Sequence, residues 1–142
     1  MDYKTFETEF FSLLKKRDSK CLKLIDKNQS VVEKHLGFQS DSKTIDNFVE
    51  KLGNIVLNVK KHLFKSNNTF ELVEKVLNFR VLGKVREVFV NSSDALIKAL
   101  KNNNKDAANW LLTSMNINPK VQDEEGKTAL MIAAKKKPYI FY

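Results

Sequence analysis

Apolar residues along this chain recur at intervals of three and four, the signature of amphipathic helices. Phe6, Phe10, Leu13 and Leu14, with Phe11 beside them, predict a first helix over about 3–16. Arg17-Asp18-Ser19 interrupts it, and Asp18 or Ser19 is placed to cap a short helix carrying Leu22, Leu24 and Ile25. A third short helix holds Val31, Val32 and Leu36 and stops at Gly37. The longest stripe runs over about 43–65, through Ile45, Phe48, Val49, Leu52, Ile55, Val56, Val59 and Leu63, with Asp46, Glu50, Lys51, Asn54 and Lys60 opposite. Gly53 within it costs about 1 kcal/mol relative to alanine and suggests that another helix approaches there. Asn68 and Glu71 have the spacing of a capping box, opening a helix with Phe70, Val73, Val76, Leu77 and Val81. Leu82, Val85, Phe89 and Val90 continue the pattern, with a break expected near Gly83. Val88-Phe89-Val90 has no alternating partner segment and is read as helix. The fold class that follows is all-α, with the ten phenylalanines as packing between helices.

The pattern changes from Asp94 onward. Asp94-Ala95-Leu96-Ile97-Lys98-Ala99-Leu100 predicts one helix, Asn102-Asn103-Asn104 a turn, and 106–112 a second helix burying Ala107, Ala108, Trp110 and Leu111. Downstream stands Asn118-Pro119-Lys120-Val121-Gln122-Asp123-Glu124-Glu125-Gly126-Lys127-Thr128-Ala129-Leu130-Met131-Ile132-Ala133-Ala134. Gly126 suits the positive φ of a tight turn. Thr128 is placed to cap the following helix, and Leu130, Ile132, Ala133 and Ala134 suit close helix packing. Leu96 and Leu130 both follow an alanine and lie 34 residues apart. This segment resembles the ankyrin repeat, whose period is about 33 residues.

The resemblance covers about 92–137, one and a half units, and is sharpest over 116–134. Asn116 takes the place of the usual glycine, and asparagine tolerates the left-handed conformation. Ser92-Ser93-Asp94 stands where a finger is expected, Met131 replaces the histidine of the family motif, and an extra residue near Met115 lengthens the connection. Pro138-Tyr139-Ile140-Phe141-Tyr142 follows where a second helix is due. That apolar end fits a fragment of a longer array, self-association, or a cap folded back on the stack. The resemblance implies a helical repeat, or solenoid, of ankyrin type over 92–142. Residues 1–91 form an N-terminal helical region, either a bundle or degenerate repeats.

Composition narrows the function. The chain has 142 residues, enough for a core without disulfides or metals. Its single cysteine, Cys21, suits a reducing compartment. The polar start and the lack of a long apolar run predict a cytoplasmic or nuclear protein, neither secreted nor membrane-spanning. The net charge of +8 raises nucleic acid or anionic lipid as partners. Yet the lysines are dispersed, and Arg17, Arg80 and Arg86 are the only arginines, a poor match to base-edge reading.

Candidate chemistry is sparse. His35 and His62 with one cysteine do not assemble a zinc site of ordinary spacing, and no glycine-rich phosphate loop is present. A Cys21–His35 nucleophile pair has no motif around it, and Asp123, Glu124 and Glu125 fall in the expected hairpin, where exposed charge is natural. No catalytic, metal or cofactor residues are assigned, and the chain is read as a non-enzyme. The resemblance implies a protein–protein interaction module, a scaffold or adaptor, contacting its partner through the finger and the first helices. By position those residues are Gln122, Glu124, Glu125 and Lys127 on the finger, with Lys98, Met131 and Lys135 on the helices. The alternative is an electrostatic binder of nucleic acid or anionic lipid, whose affinity falls steeply with salt.

Overall fold

The computed structural model describes residues 1–59 and 66–135. Nine helices are formed among them: α1 (Tyr3–Lys15), α2 (Lys20–Lys27), α3 (Gln29–Leu36), α4 (Ser42–Leu57), α5 (Ser66–Leu77), α6 (Gly83–Ser92), α7 (Ala95–Lys101), α8 (Lys105–Thr113) and α9 (Ala129–Lys135). A 3-10 turn, Arg80–Leu82, joins α5 to α6, and no strand occurs among the described residues. The all-helical expectation is met.

Local chemistry explains most boundaries. Asp2 caps α1 by accepting from the Thr5 amide, and Arg17 ends it in the left-handed region at φ 58°. Asp18 accepts from the Lys20 amide at the start of α2, so of the two expected caps Asp18 makes the bond. Gly37 ends α3 for steric reasons, because a Cβ there would lie 2.4 Å from the Glu33 carbonyl oxygen.

Two expected boundaries are corrected. The long helix stops at Leu57, short of 65; Leu63 and the rest of 60–65 lie outside the described residues. Asn58 closes α4 with its own amide, and the Asn104 side chain donates to the Leu57 carbonyl at 3.2 Å, satisfying an end that would otherwise need another turn. The next helix begins at Ser66, so Asn68 lies within it rather than capping it.

Burial follows the stripes. Phe6, Phe10, Phe48 and Phe89 are fully buried. Phe48 of α4 packs its ring on Phe10 (5.5 Å) and Phe11 (4.9 Å) of α1. Glu7 of α1 accepts from Tyr3 at 2.9 Å and from Lys51 of α4 at 2.8 Å. α1 packs on α2 and α3, and α4 packs on α3, α6 and α7. α7 in turn contacts α8 and α9, so α4, α7 and α9 follow one another as neighbours. α4 therefore supplies α7 with the partner that a repeat helix requires on its far side.

The approach expected at Gly53 is real but not tight. A Cβ at Gly53 would meet the Ala95 Cβ at 3.8 Å, an ordinary contact. Gly53→Ala should therefore raise stability by up to about 1 kcal/mol through helix propensity, read as a higher denaturant midpoint. A lower midpoint would mean that α4 and α7 pack more closely than this.

Candidate functional site

The region after α8 is built by hydrogen bonds at fixed places. The Met115 amide donates to the Trp110 carbonyl at 3.1 Å, and Asn116 turns the chain at φ 52°. Met115 and Ile117 are buried on either side of it, which absorbs the extra residue in the connection. Asn118 then ties the loop back to the end of α6. Its amide donates to the Val90 carbonyl at 2.7 Å and its side chain to the Asn91 carbonyl at 3.2 Å.

The finger is a hairpin organised by Asp123. The Asp123 amide donates to the Lys127 carbonyl at 2.9 Å, and the Gly126 amide donates to the Asp123 carbonyl at 3.0 Å. Gly126 has φ 77°, where a side chain is strained. One Asp123 carboxylate oxygen accepts from the amides of Glu125 (2.9 Å) and Lys127 (2.8 Å). The other lies 2.9 Å from the Lys101 amine at the end of α7. The carboxylate is 8% exposed, so the expectation of an exposed charge is wrong for this member of the acidic run. An Asp followed three residues later by Gly is the sequence signal for such a turn.

The Lys101 ammonium, then the Lys127 amide, holds the Asp123 carboxyl down at about 2, against an ordinary 3.8. Because the folded value is the lower one, its stabilisation is complete above about pH 4 and disappears as pH falls through 2. A carboxyl titration by NMR should place Asp123 near pH 2, and Asp123→Asn should remove this contribution at neutral pH. A midpoint near 4 would mean that the hairpin is not held this way.

The hairpin displays Gln122, Glu124 and Glu125 to solvent. Lys127 lies 3.4 Å from Glu125 and also meets Lys135 of α9. That contact, and then the Lys127 charge, lowers the Lys135 pKa. Thr128 accepts from the Met131 amide at 3.4 Å, the cap expected of it. Met131 is half exposed, and Lys98 sits on α7, which packs against α9, with its amine 3.4 Å from Asp94. Lys127 of the finger and Lys135 are thus brought together, with Met131 on the same helix as Lys135 and Lys98 on the neighbouring helix. Leu130 is a correction: it is 73% exposed, although Leu96, one period earlier, is buried. Leu96 belongs to a helix flanked by both α4 and α9, and Leu130 belongs to α9, the last described helix. Ala134 is exposed for the same reason, while Ile132 and Ala133 are buried.

The second helix of the unit behaves as expected. Asn104 caps α8 by accepting from the Ala107 amide at 3.1 Å, and Ala107, Ala108, Trp110 and Leu111 are all buried. The protein-family model for ankyrin repeats (3 copies) matches residues 62–140. The chain belongs to the ankyrin-repeat family. The match begins well before residue 92, so the ankyrin-repeat region takes in α5 and α6, in which the sequence alone offers no finger motif. No curated protein and no solved structure matches the chain.

Other chemistry is thin among the described residues. No group of three His, Cys, Asp or Glu side chains is placed to hold a metal ion. Cys21 is fully buried, and burial pushes its thiol up to about 11, far from the thiolate a nucleophile needs. His35 stacks on Tyr3 at 4.7 Å, and His62 lies outside the described residues. No helix among the described residues is long and apolar enough to cross a membrane. Ankyrin repeats as a family bind other proteins and are typically not enzymes.

Proposed function

We propose that this chain is a non-enzymatic scaffold or adaptor that binds another protein through its finger and the adjoining first helices. The observation that carries the reading is the Asp123 hairpin. A turn pinned by two amides and a lysine holds Glu124 and Glu125 outward, already ordered before a partner arrives. Preorganisation of this kind lowers the entropic cost of association. The contact surface in this reading is Gln122, Glu124, Glu125 and Lys127 on the hairpin, Met131 and Lys135 on α9, and Lys98 on α7.

Residues 1–91 serve in this proposal as the N-terminal helical part and 92–142 as the part that presents the surface. The family match from residue 62 supports degenerate repeats, rather than an unrelated bundle, for the end of the N-terminal part.

Reversing both acids tests the proposal. Glu124 and Glu125 are exposed, and their side chains are linked to the remainder through the Glu125–Lys127 pair alone among the described contacts. The double variant Glu124→Lys, Glu125→Lys should keep the helical content and melting behaviour of the parent. It should lose at least tenfold in affinity for the protein partner, since like-charge juxtaposition at an interface costs several kcal/mol and each tenfold corresponds to about 1.4 kcal/mol. Unchanged affinity would remove the finger from the binding surface.

A further inference from the structure

A second surface lies away from the finger, between the end of α3 and the turn that opens α6. There the chain forms a groove of about 930 Å³ lined by Gln29, Lys34, Phe38, Gln39, Arg80 and Val81, together with Glu33. Phe38 is 67% exposed, the most exposed phenylalanine among the described residues. An apolar ring of this size is ordinarily withdrawn from water, and its position here is built.

The loop carrying it is tied down on both sides. The Gly37 amide donates to the Glu33 carbonyl at 2.9 Å, and the Ser40 amide donates to the Gly37 carbonyl at 3.1 Å. The Ser40 hydroxyl lies 2.9 Å from the Lys34 carbonyl and 3.4 Å from that of Glu33, so the open end of α3 is satisfied by this loop. One side of the Phe38 ring rests over Gly83, where a Cβ would come within 3.4 Å of it. The remaining surface of the ring forms part of the groove.

Two cations, Lys34 and Arg80, border it. Neither the Lys34 ammonium nor the Arg80 guanidinium has a hydrogen bond or ion pair to another described residue, whereas Arg86 nearby is bonded to Asn78 and Lys84 is paired with Glu87. Glu33 is the single carboxylate of the lining against these two cations. Arg80 can offer a planar fork to a carboxylate, and Phe38 a flat apolar face beside it.

We propose that this groove is a docking site for an acidic peptide segment of a partner protein, one with an aromatic or large apolar side chain next to its acidic residues. Phe38 receives the apolar side chain, Arg80 and Lys34 receive the carboxylates, and the side-chain amide of Gln39 faces the peptide backbone. The site is separate from the finger and does not depend on the finger's role.

The probe is a fluorescein-labelled nonapeptide with one phenylalanine set among aspartates and glutamates, followed by anisotropy against the full chain. Two companions replace every acid by lysine, or the phenylalanine by alanine. The acidic phenylalanine peptide should bind saturably, and both companions should bind at least tenfold more weakly. Arg80→Glu and Phe38→Ala should each weaken the parent peptide at least tenfold. Both side chains are exposed, and circular dichroism should show an unchanged fold. Lys23→Glu, an equal charge change on exposed α2, should leave binding within twofold, as should the finger double variant. Absence of saturable binding, equal binding by the Phe38→Ala chain, or equal loss with Lys23→Glu would overturn the proposal. So would a labelled single-stranded oligonucleotide that binds more tightly than the peptide and is lost with Arg80→Glu.

Discussion

Phe48→Ala should lower the unfolding free energy by about 3–5 kcal/mol, the range for emptying a large aromatic site in a core. Phe48 is fully buried and is the ring on which Phe10 and Phe11 of α1 both pack, so its loss opens a void between α1 and α4. A domain of ordinary stability holds about 5–15 kcal/mol in all, so the loss removes a large fraction of it. Urea titration should show a lower midpoint with an unchanged slope. Phe48→Leu, which keeps most of the apolar volume, should cost much less. A Phe48→Ala loss below about 1 kcal/mol would mean that α1 does not pack on α4 as described.

Trp110→Ala should cost a similar amount, about 3–5 kcal/mol, at the other end of the core. The indole stacks on Phe70 of α5 at 5.1 Å, lies 6.4 Å from Phe89 of α6, and donates from its ring nitrogen to Glu74. One side chain of the α7–α8 unit thus joins that unit to α5 and α6. Trp110→Phe keeps a ring in place but leaves the half-buried Glu74 carboxylate without the indole donor, which costs about 1–3 kcal/mol. Trp110 is the sole tryptophan, so its fluorescence reports directly on this joint. The fluorescence and circular-dichroism transitions of the parent chain should coincide. Separate transitions would mean that α8 undocks from α5 and α6 before the rest unfolds.

The helices were readable because their apolar stripes are regular and their breaks carry chemistry. Arg17-Asp18-Ser19, Gly37, Asn102-Asn103-Asn104 and Asn116 all mark turns in the structure. Where reading failed, a tertiary contact decided. α4 ends at Leu57 because Asn104, 47 residues away, takes its last carbonyl, and no local pattern announces that. Periodicity likewise could not tell that Leu130 is exposed while its counterpart Leu96 is buried, since the difference lies in which helices flank each one.

The hairpin itself was legible from Gly126 and Thr128, but the part Asp123 plays was not. Its sequence neighbours Glu124 and Glu125 are solvent charges, and only the fold brings Lys101 to Asp123 from α7. The extension of the repeat region back to residue 62 was hidden for a related reason. α6 runs into α7 across Ser93 and Asp94, leaving no finger between them to recognise. Phe38 looked like any other phenylalanine until the Ser40 and Gly37 bonds placed it outside the core.

The most direct test of the binding-module account is affinity capture from source-cell extract, at low and at high salt, with the parent chain and the Glu124→Lys, Glu125→Lys variant side by side. The account predicts one or a few proteins retained by the parent at high salt and lost by the variant, both chains being equally folded. Bound material that is chiefly nucleic acid or lipid and washes away with salt, or a protein retained equally by both chains, would contradict it.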